Sequence, residues 1–313
     1  MCGAKMRVLV TGASSMIGRQ TCDLLEQEYE VDRVLHCETD LLSLVETKKR
    51  FTQFKPDYVI ALQGYNGGIN FNKLLPATIF ERTTEMALNV LTCCSMFNVK
   101  KTVTVLTSCA YPNTGLPLKE EDFLSGVPHE SVMCHAYAKR NLFLYGLLLN
   151  KQYGLNVVSC IFNNCYGPYD SFDLEKTKVV GALIRKFIEA KENNSEKVVI
   201  WGTGNQRREL LYSRDAAKGL VAVLNNYNDV NIPINIGSGT DYTIKELALT
   251  IKEVVGYEGE LFFDTSKPDG QMSKLLDVSR MSKLFPYLDI YTPLKTGLEE
   301  TVKWFYENRH LIK

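Results

Sequence analysis

No apolar run in the 313 residues approaches the roughly 20 that a membrane-spanning helix needs. The opening MCGAKM has no signal-peptide core behind it, so a soluble, cytoplasmic chain is expected. Neither sign of charge dominates: Lys plus Arg and Asp plus Glu both number 36. That balance gives no global basic field for nucleic acid and no acidic tail, so an anionic ligand must be met by local charges. Histidine is scarce, and His36, His129, His135 and His310 form no HxxxH or HExxH with one another or with the cysteines, which argues against a metal site. CxxC is absent too. The nine cysteines are odd in number and scattered, with one adjacent pair at Cys93 and Cys94, as in a reduced cytosolic protein rather than a disulfide scaffold. Internal repeats and low-complexity linkers are also missing.

What is present is an alternation. Short β-branched runs, MRVLV (6–10), VDRVL (31–35), DYVIAL (57–62), KTVTVLT (101–107) and NVVSCIF (156–162), are separated by helix-like stretches near 16–29, 78–98 and 136–152. Repeated βαβ units of this kind make a parallel sheet, and runs that are continuously apolar rather than alternating imply helices on both faces. The fold class is therefore α/β, a doubly wound parallel sheet of Rossmann type. After about residue 165 the helices lengthen and the strands shorten, as in VVIW (198–201) and ELFFD (260–264), which suggests a smaller C-terminal substrate lobe. The expected division is 1–165 for the nucleotide-binding domain and 166–313 mainly for the substrate lobe, with the chain re-entering the first domain around 211–238. A capping box, Thr243 to Glu246, opens the helix TIKELALTIKEVV, and PINIG (233–237) is the candidate for one more strand of the first sheet.

Directly after the first strand comes TGASSMIG, with Gly12, Ser15 and Gly18 at three-residue spacing before a helix. In that context small residues let backbone amides and the helix N-terminus approach a pyrophosphate. Gly12, Ser14, Ser15, Met16, Ile17 and Gly18 are accordingly the candidate cofactor turn, set against a tight βα turn with no ligand. Ser15 stands where the middle glycine is usual, so that position must accept a side chain. The second strand ends near His36, followed by Asp40 and Leu41, with no acid where NAD enzymes place one for the ribose hydroxyls. His36, Asp40 and Leu41 are the candidates at the adenosine ribose. NADP(H) is the expected cofactor, with NAD left open and His36 as the phosphate partner or an ordinary surface histidine.

Later motifs occur in one order: TSCAYP (107–112), AYAKR (136–140), NNCYGPYDSF (163–172), VVIWGTGNQRREL (198–210), INIGSGTDYTIKELA (234–248) and SKPDGQMSKLLDVSRM (266–281). Together they resemble the GDP-L-fucose synthase family of the extended short-chain dehydrogenase/reductase superfamily, from the glycine turn almost to the end. The resemblance implies a GDP-4-keto-6-deoxy-mannose substrate, epimerised at C3 and C5 and then reduced at C4 with hydride from NADPH. Such chemistry suits weak acids and bases, because a 4-keto group acidifies its neighbouring C–H bonds and the new alkoxide needs a proton donor.

Carried over residue by residue, the resemblance gives Thr107 a hydrogen bond to the C4 oxygen and makes Cys109 one epimerisation acid/base. Lys178 stands where the family has its second acid/base, a histidine, which puts epimerisation in question. His135 stands where the superfamily has the tyrosine of Tyr-x-x-x-Lys, with Lys139 in register to hold the nicotinamide ribose. Tyr137 lies about 200° around a helix from His135 and cannot take its place. A proton donated by His135 would favour mildly acid pH, with Lys139 opposing the imidazolium. Asn164, Lys186, Arg208 and Lys274 match positions that contact the sugar or diphosphate, Lys186 replacing an arginine, and Trp201 is placed at the guanosine.

The leading reading is an NADPH-dependent reductase of a GDP-4-keto-deoxysugar, acting as a homodimer. Its alternatives are a full epimerase and reductase, a catalytically impaired nucleotide-sugar-binding paralogue, and a related enzyme acting on a GDP-keto-heptose.

Overall fold

A computed structural model describes residues 5–112, 115–174, 176–267 and 271–312. The PDG of the SKPDG motif lies outside the described residues. Strand β1 (Arg7–Thr11) leads into α1 (Met16–Leu25), and β2 (Glu30–Val34), α2 (Leu44–Phe54), β3 (Tyr58–Ala61), α3 (Ile69–Leu74), α4 (Pro76–Met96), β4 (Lys101–Thr107), α5 (Met133–Tyr153) and β5 (Val157–Phe162) follow. Beyond them come β6 (Asn164–Tyr166), α6 (Val179–Glu192), β7 (Lys197–Trp201), β8 (Arg207–Tyr212), α7 (Ser213–Asn226), β9 (Ile234–Ile236), β10 (Asp241–Thr243), α8 (Ile244–Val255), β11 (Glu260–Asp264), α9 (Ser279–Leu284) and α10 (Leu294–Glu307).

The main sheet runs β2-β1-β3-β4-β5-β9 with every pairing parallel, so the doubly wound sheet expected from the apolar runs is present. Successive strand residues face opposite layers. Leu9, Val59 and Ala61 enter the core under α2, α4 and α5, while Val8, Val10 and Ile60 enter the one under α1 and α7. Each large apolar side chain buried there contributes roughly 1.5–3 kcal/mol, which is why both faces of the strands are apolar. The short strand from PINIG pairs with β5 through Cys160–Ile234, Ile161–Asn235 and Phe162–Ile236.

Helix α2 was not announced by the apolar pattern: only Thr47 and Phe51 along it are buried, and Ser43 caps its start. Helix α8 begins where the Thr243–Glu246 spacing places it, with both halves of the capping box made. Around it, β10-β8-β6 and β11-β7 form two small sheets, and α6, α8 and α10 share a third core that includes Ile184, Phe187, Leu247, Ile251 and Leu298. Two features then shape the cleft. The connection from β4 to α5 is zipped to the segment before α9 by Leu118 N to Leu275 O (2.8 Å) and Asp277 N to Leu118 O (2.9 Å). Arg140 pins the same connection from α5, donating to the carbonyls of Ala110, Ser125 and Gly126. Among the described residues no helix is long and apolar enough to cross a membrane.

Candidate active site

The glycine turn closes tightly. Gly12 sits at φ +64°, and a Cβ on Gly18 would fall 2.3 Å from the Gly12 carbonyl oxygen. Ser15 has φ −70°, an ordinary value, so its side chain brings no strain; it caps α1 by accepting from Gly18 N at 3.1 Å. Met16 and Ile17 pack their side chains on the core, leaving backbone amides at the helix start, and no acid stands in the first turn of α1. A cradle at a helix start that, among the described residues, carries no acid in its first turn and leaves no room for a Cβ at Gly18 fits a dinucleotide pyrophosphate. Beyond β2, His36 is exposed. Asp40 accepts from Leu42 N, and the Leu41 carbonyl accepts from Asn89, so both belong to the turn that enters α2.

Helix α5 carries two chemically different faces. His135 and Lys139, one turn apart, point inward and are buried. Lys139 Nζ donates to Val105 O at 2.7 Å and Gln63 O at 3.4 Å, and burial brings its ammonium down to about 8. The imidazole of His135 has no partner for Nδ1 among the described residues. Burial first, and then the charges of Lys139, Lys178 and Lys274, hold it well below its ordinary 6.5. Not one cation but three oppose the imidazolium, which works against the mildly acid optimum expected of a His135 proton donor. Tyr137 lies on the other face, where with Asn72, Phe80, His129, Cys134 and Asn141 it lines a cavity of about 800 Å³ separate from the inward pair.

Cys109 follows β4 in a single 3-10 turn that Thr107 caps, its hydroxyl accepting from Cys109 N at 3.3 Å. Lys274 Nζ approaches the Cys109 sulfur at 3.1 Å. Burial would raise the thiol, but Lys274, Thr107 and Lys178 outweigh it and bring it below its usual 9.0. Lys178 is exposed at the N-cap of α6. Its charge reaches Cys109, His135 and Asp170. Arg208, on β8, lies within electrostatic reach of Cys109, and Asn164 opens β6 with its amide bonded to Asn163. Thr107, Cys109, His135, Lys178, Arg208 and Lys274 thus gather at one end of the cleft.

Lys186 and Trp201 form a separate group. The Lys186 ammonium stands 5.6 Å from the Trp201 ring centre and also donates to Val199 O, leaving the indole largely exposed. Two helical turns separate Lys178 from Lys186, roughly 12 Å at 1.5 Å per residue. That span suits an elongated anionic ligand with a ring at its far end.

Residues 8–237 match the NAD dependent epimerase/dehydratase family. The chain is 34% identical over 313 residues to a GDP-L-fucose synthase of Dictyostelium discoideum, covering 97% of both chains. The chain belongs to the GDP-L-fucose synthase family. A crystal structure of a GDP-L-fucose synthetase from Naegleria fowleri bound to NADP superposes with a TM-score of 0.90 at 31% identity, covering 100% of this chain and 97% of that one. A GDP-6-OMe-4-keto-L-xylo-heptose reductase from C. jejuni gives the same TM-score at 29% identity, covering 97% and 98%.

Within this GDP-L-fucose synthase fold, three residues escaped the sequence reading. Asp170 lies beside Lys178, and burial, partly offset by that lysine, pushes its carboxyl up to about 6. Its position in YGPYD, just after the Asn164 motif, was the available signal. Lys267 stands 5.8 Å from the Trp201 ring, in the SKPDG motif just after β11, the strand paired with the one that ends in Trp201. Glu209, beside Arg208, is entirely buried.

Proposed function

We propose that the protein is an NADP-dependent enzyme acting on a GDP-linked 4-keto-6-deoxy sugar, moving protons at the carbons beside the ketone and then reducing C4. The observation that carries this reading is the Lys274 ammonium 3.1 Å from the Cys109 sulfur. It supports a thiolate base facing a cleft in which Lys178 supplies a cation of the opposite role. Cys109 takes the acidified C–H proton and Lys178 returns one, so inversion needs no histidine at position 178. The Thr107 hydroxyl donates to the C4 oxygen, whose charge grows in both steps.

The dinucleotide, when bound, supplies hydride to C4. Gly12, Ser14, Ser15, Met16, Ile17 and Gly18 would hold its diphosphate, Lys139 its nicotinamide ribose, and His36, Asp40 and Leu41 would flank the adenosine side. Asn164 and Arg208 hold the sugar and diphosphate, and Lys186 and Trp201 the far end of the nucleotide. A neutral His135 offers an N–H hydrogen bond to the new alkoxide but gives up that proton reluctantly, so reduction is the slow step. A second reading, reduction of a GDP-keto-heptose without inversion, is favoured by the exposed placement of Lys178 and by the Campylobacter neighbour.

Heavy water separates the two. With GDP-4-keto-6-deoxy-mannose and NADPH, deuterium should enter C3 and C5 faster than NADPH is oxidised, and Cys109→Ser should slow that entry by about 100-fold. NADPH oxidation with no deuterium at either carbon would sink the inversion step and leave the second reading.

We also propose a first lobe of 1–165 and a second of 166–313 with a return around 211–238, supported by the pairing of β9 with β5. A cytoplasmic location is supported by the eight described cysteines, all unpaired. Phe80 and Leu88 on α4 and Leu144 and Leu148 on α5 expose apolar side chains along one surface. That stripe supports a homodimer packed helix against helix, and light scattering should return twice the chain mass. A single-chain mass would refute it.

A further inference from the structure

Glu209 is 0% exposed, in the middle of the molecule, and both its oxygens act only as acceptors. One takes Gly239 N at 2.9 Å; the other takes Leu276 N at 2.9 Å and Asn163 Nδ2 at 3.1 Å. Asn163 extends the connection, donating also to Lys274 O at 3.2 Å and accepting from Ser108 Oγ at 2.9 Å and Asn164 Nδ2 at 3.1 Å. The Glu209 backbone completes it, its N–H donating to Lys274 O at 3.2 Å and its carbonyl accepting from Asn164 Nδ2 at 3.4 Å. The three buried polar side chains of this hub, Ser108, Asn163 and Glu209, are each next in the chain to a residue facing the cleft. Ser108 precedes Cys109, Asn163 precedes Asn164, Glu209 follows Arg208, and Lys274 joins through its own carbonyl.

We propose that Glu209 is the positioning residue of the proton-transfer pocket, its buried carboxylate fixing the Lys274 ammonium against the Cys109 thiol. The inference rests on the reading of Cys109 as an acid/base. A carboxylate is required because the surrounding N–H groups come from separate segments and need acceptors on both oxygens. Without it, the segment carrying Lys274 loses its registry with the turn carrying Cys109. The other charges facing Cys109 are Lys178 from the start of α6 and Arg208 from β8, and neither hydrogen-bonds the sulfur in the described structure.

Glu209→Gln keeps the shape but turns one acceptor into a donor facing a backbone N–H. The measurement is the rate of Cys109 alkylation by iodoacetamide against pH in the protein without sugar nucleotide, with the labelled peptide identified by mass spectrometry. The midpoint should rise by about one pH unit, so that alkylation at neutral pH slows about tenfold. Lys274→Met should raise it similarly, while NADPH affinity of the Glu209 variant by fluorescence stays within about twofold of the parent. A midpoint that Lys274→Met raises and Glu209→Gln leaves alone overturns the proposal, as does one that neither variant moves. If Glu209→Gln yields no folded protein, Ser108→Ala at the edge of the hub carries the same test: about a threefold slowing supports the proposal and no change overturns it. Because no substrate is present, a Cys109 that moves no sugar proton would defeat the functional reading while leaving this shift intact.

Discussion

The end of the cleft proposed for the dinucleotide is made largely by one short stretch, Thr11 to Gly18, with α5 beside it. The end proposed for the sugar draws Cys109, Asn164, Lys178, Arg208 and Lys274 from separate segments that meet only in the folded chain. The first depends on backbone sterics, since a tight turn either admits the required path or does not. The second depends on a buried polar hub, where each partner lost leaves others unsatisfied at about 1–3 kcal/mol apiece. Local construction should therefore fail abruptly and alone, and distributed construction should fail by degrees.

The largest expected effect tests the local end. Gly18→Ala places a Cβ 2.3 Å from the Gly12 carbonyl oxygen, and backbone rather than a flexible side chain would have to yield. NADPH affinity, followed by nucleotide fluorescence, should weaken by about 100-fold, equivalent to roughly 2.7 kcal/mol. GDP affinity by calorimetry should hardly change. An equal loss of both would show that the two ends are not built independently.

A smaller effect is expected at the opposite extreme. Trp201 is exposed and flanked by Lys186 at 5.6 Å and Lys267 at 5.8 Å, a flat aromatic surface between two cations. Removing the ring in Trp201→Ala should cost about 1–2 kcal/mol of GDP binding, about tenfold in affinity, with NADPH binding unaltered. Unchanged GDP affinity would remove Trp201 from the nucleotide site and shorten the sugar end to the cluster around Cys109.

The same contrast explains what could be read from the amino-acid order. The strands of the main sheet were legible because continuous β-branched runs have few other ways to bury both faces, and KTVTVLT is β4 residue for residue. Helix α2 was not, because it buries little and is rich in lysine. The glycine turn was legible for the reason that it fails alone: strand, turn and helix are adjacent in the chain. His135 and Lys139 on one face and Tyr137 on another follow from helical spacing, whereas the cavity beside Tyr137 does not. The meeting of Lys274 with Cys109 joins positions 165 residues apart, and no local spacing encodes it. Glu209 was passed over because RREL draws attention to its arginines, and only burial distinguishes a hub carboxylate from a surface one. Asp170 was hidden likewise, its unusual character coming from desolvation rather than from its neighbours in sequence.

The last comparison concerns His135, which lies where the two ends meet. In the unfolded chain its imidazole takes a proton near 6.5. In the folded protein burial and three lysines hold that step well below 6.5. Between those two values the unfolded state binds more protons, so the histidine's contribution to stability is present above about 6.5 and is lost as pH falls towards the folded value. The loss approaches 1.4 kcal/mol per pH unit within that window. Asp170 has the opposite sign: raised to about 6, it contributes stability at acid pH that disappears as pH rises through that value. His135→Asn should remove the first slope and leave the second, so the variant's Tm should fall less than the parent's between about pH 7 and about pH 5. Parallel curves would mean that His135 can take up its proton in place, and the imidazolium donor, with reduction favoured by mild acid, would return as the better account of His135 on α5.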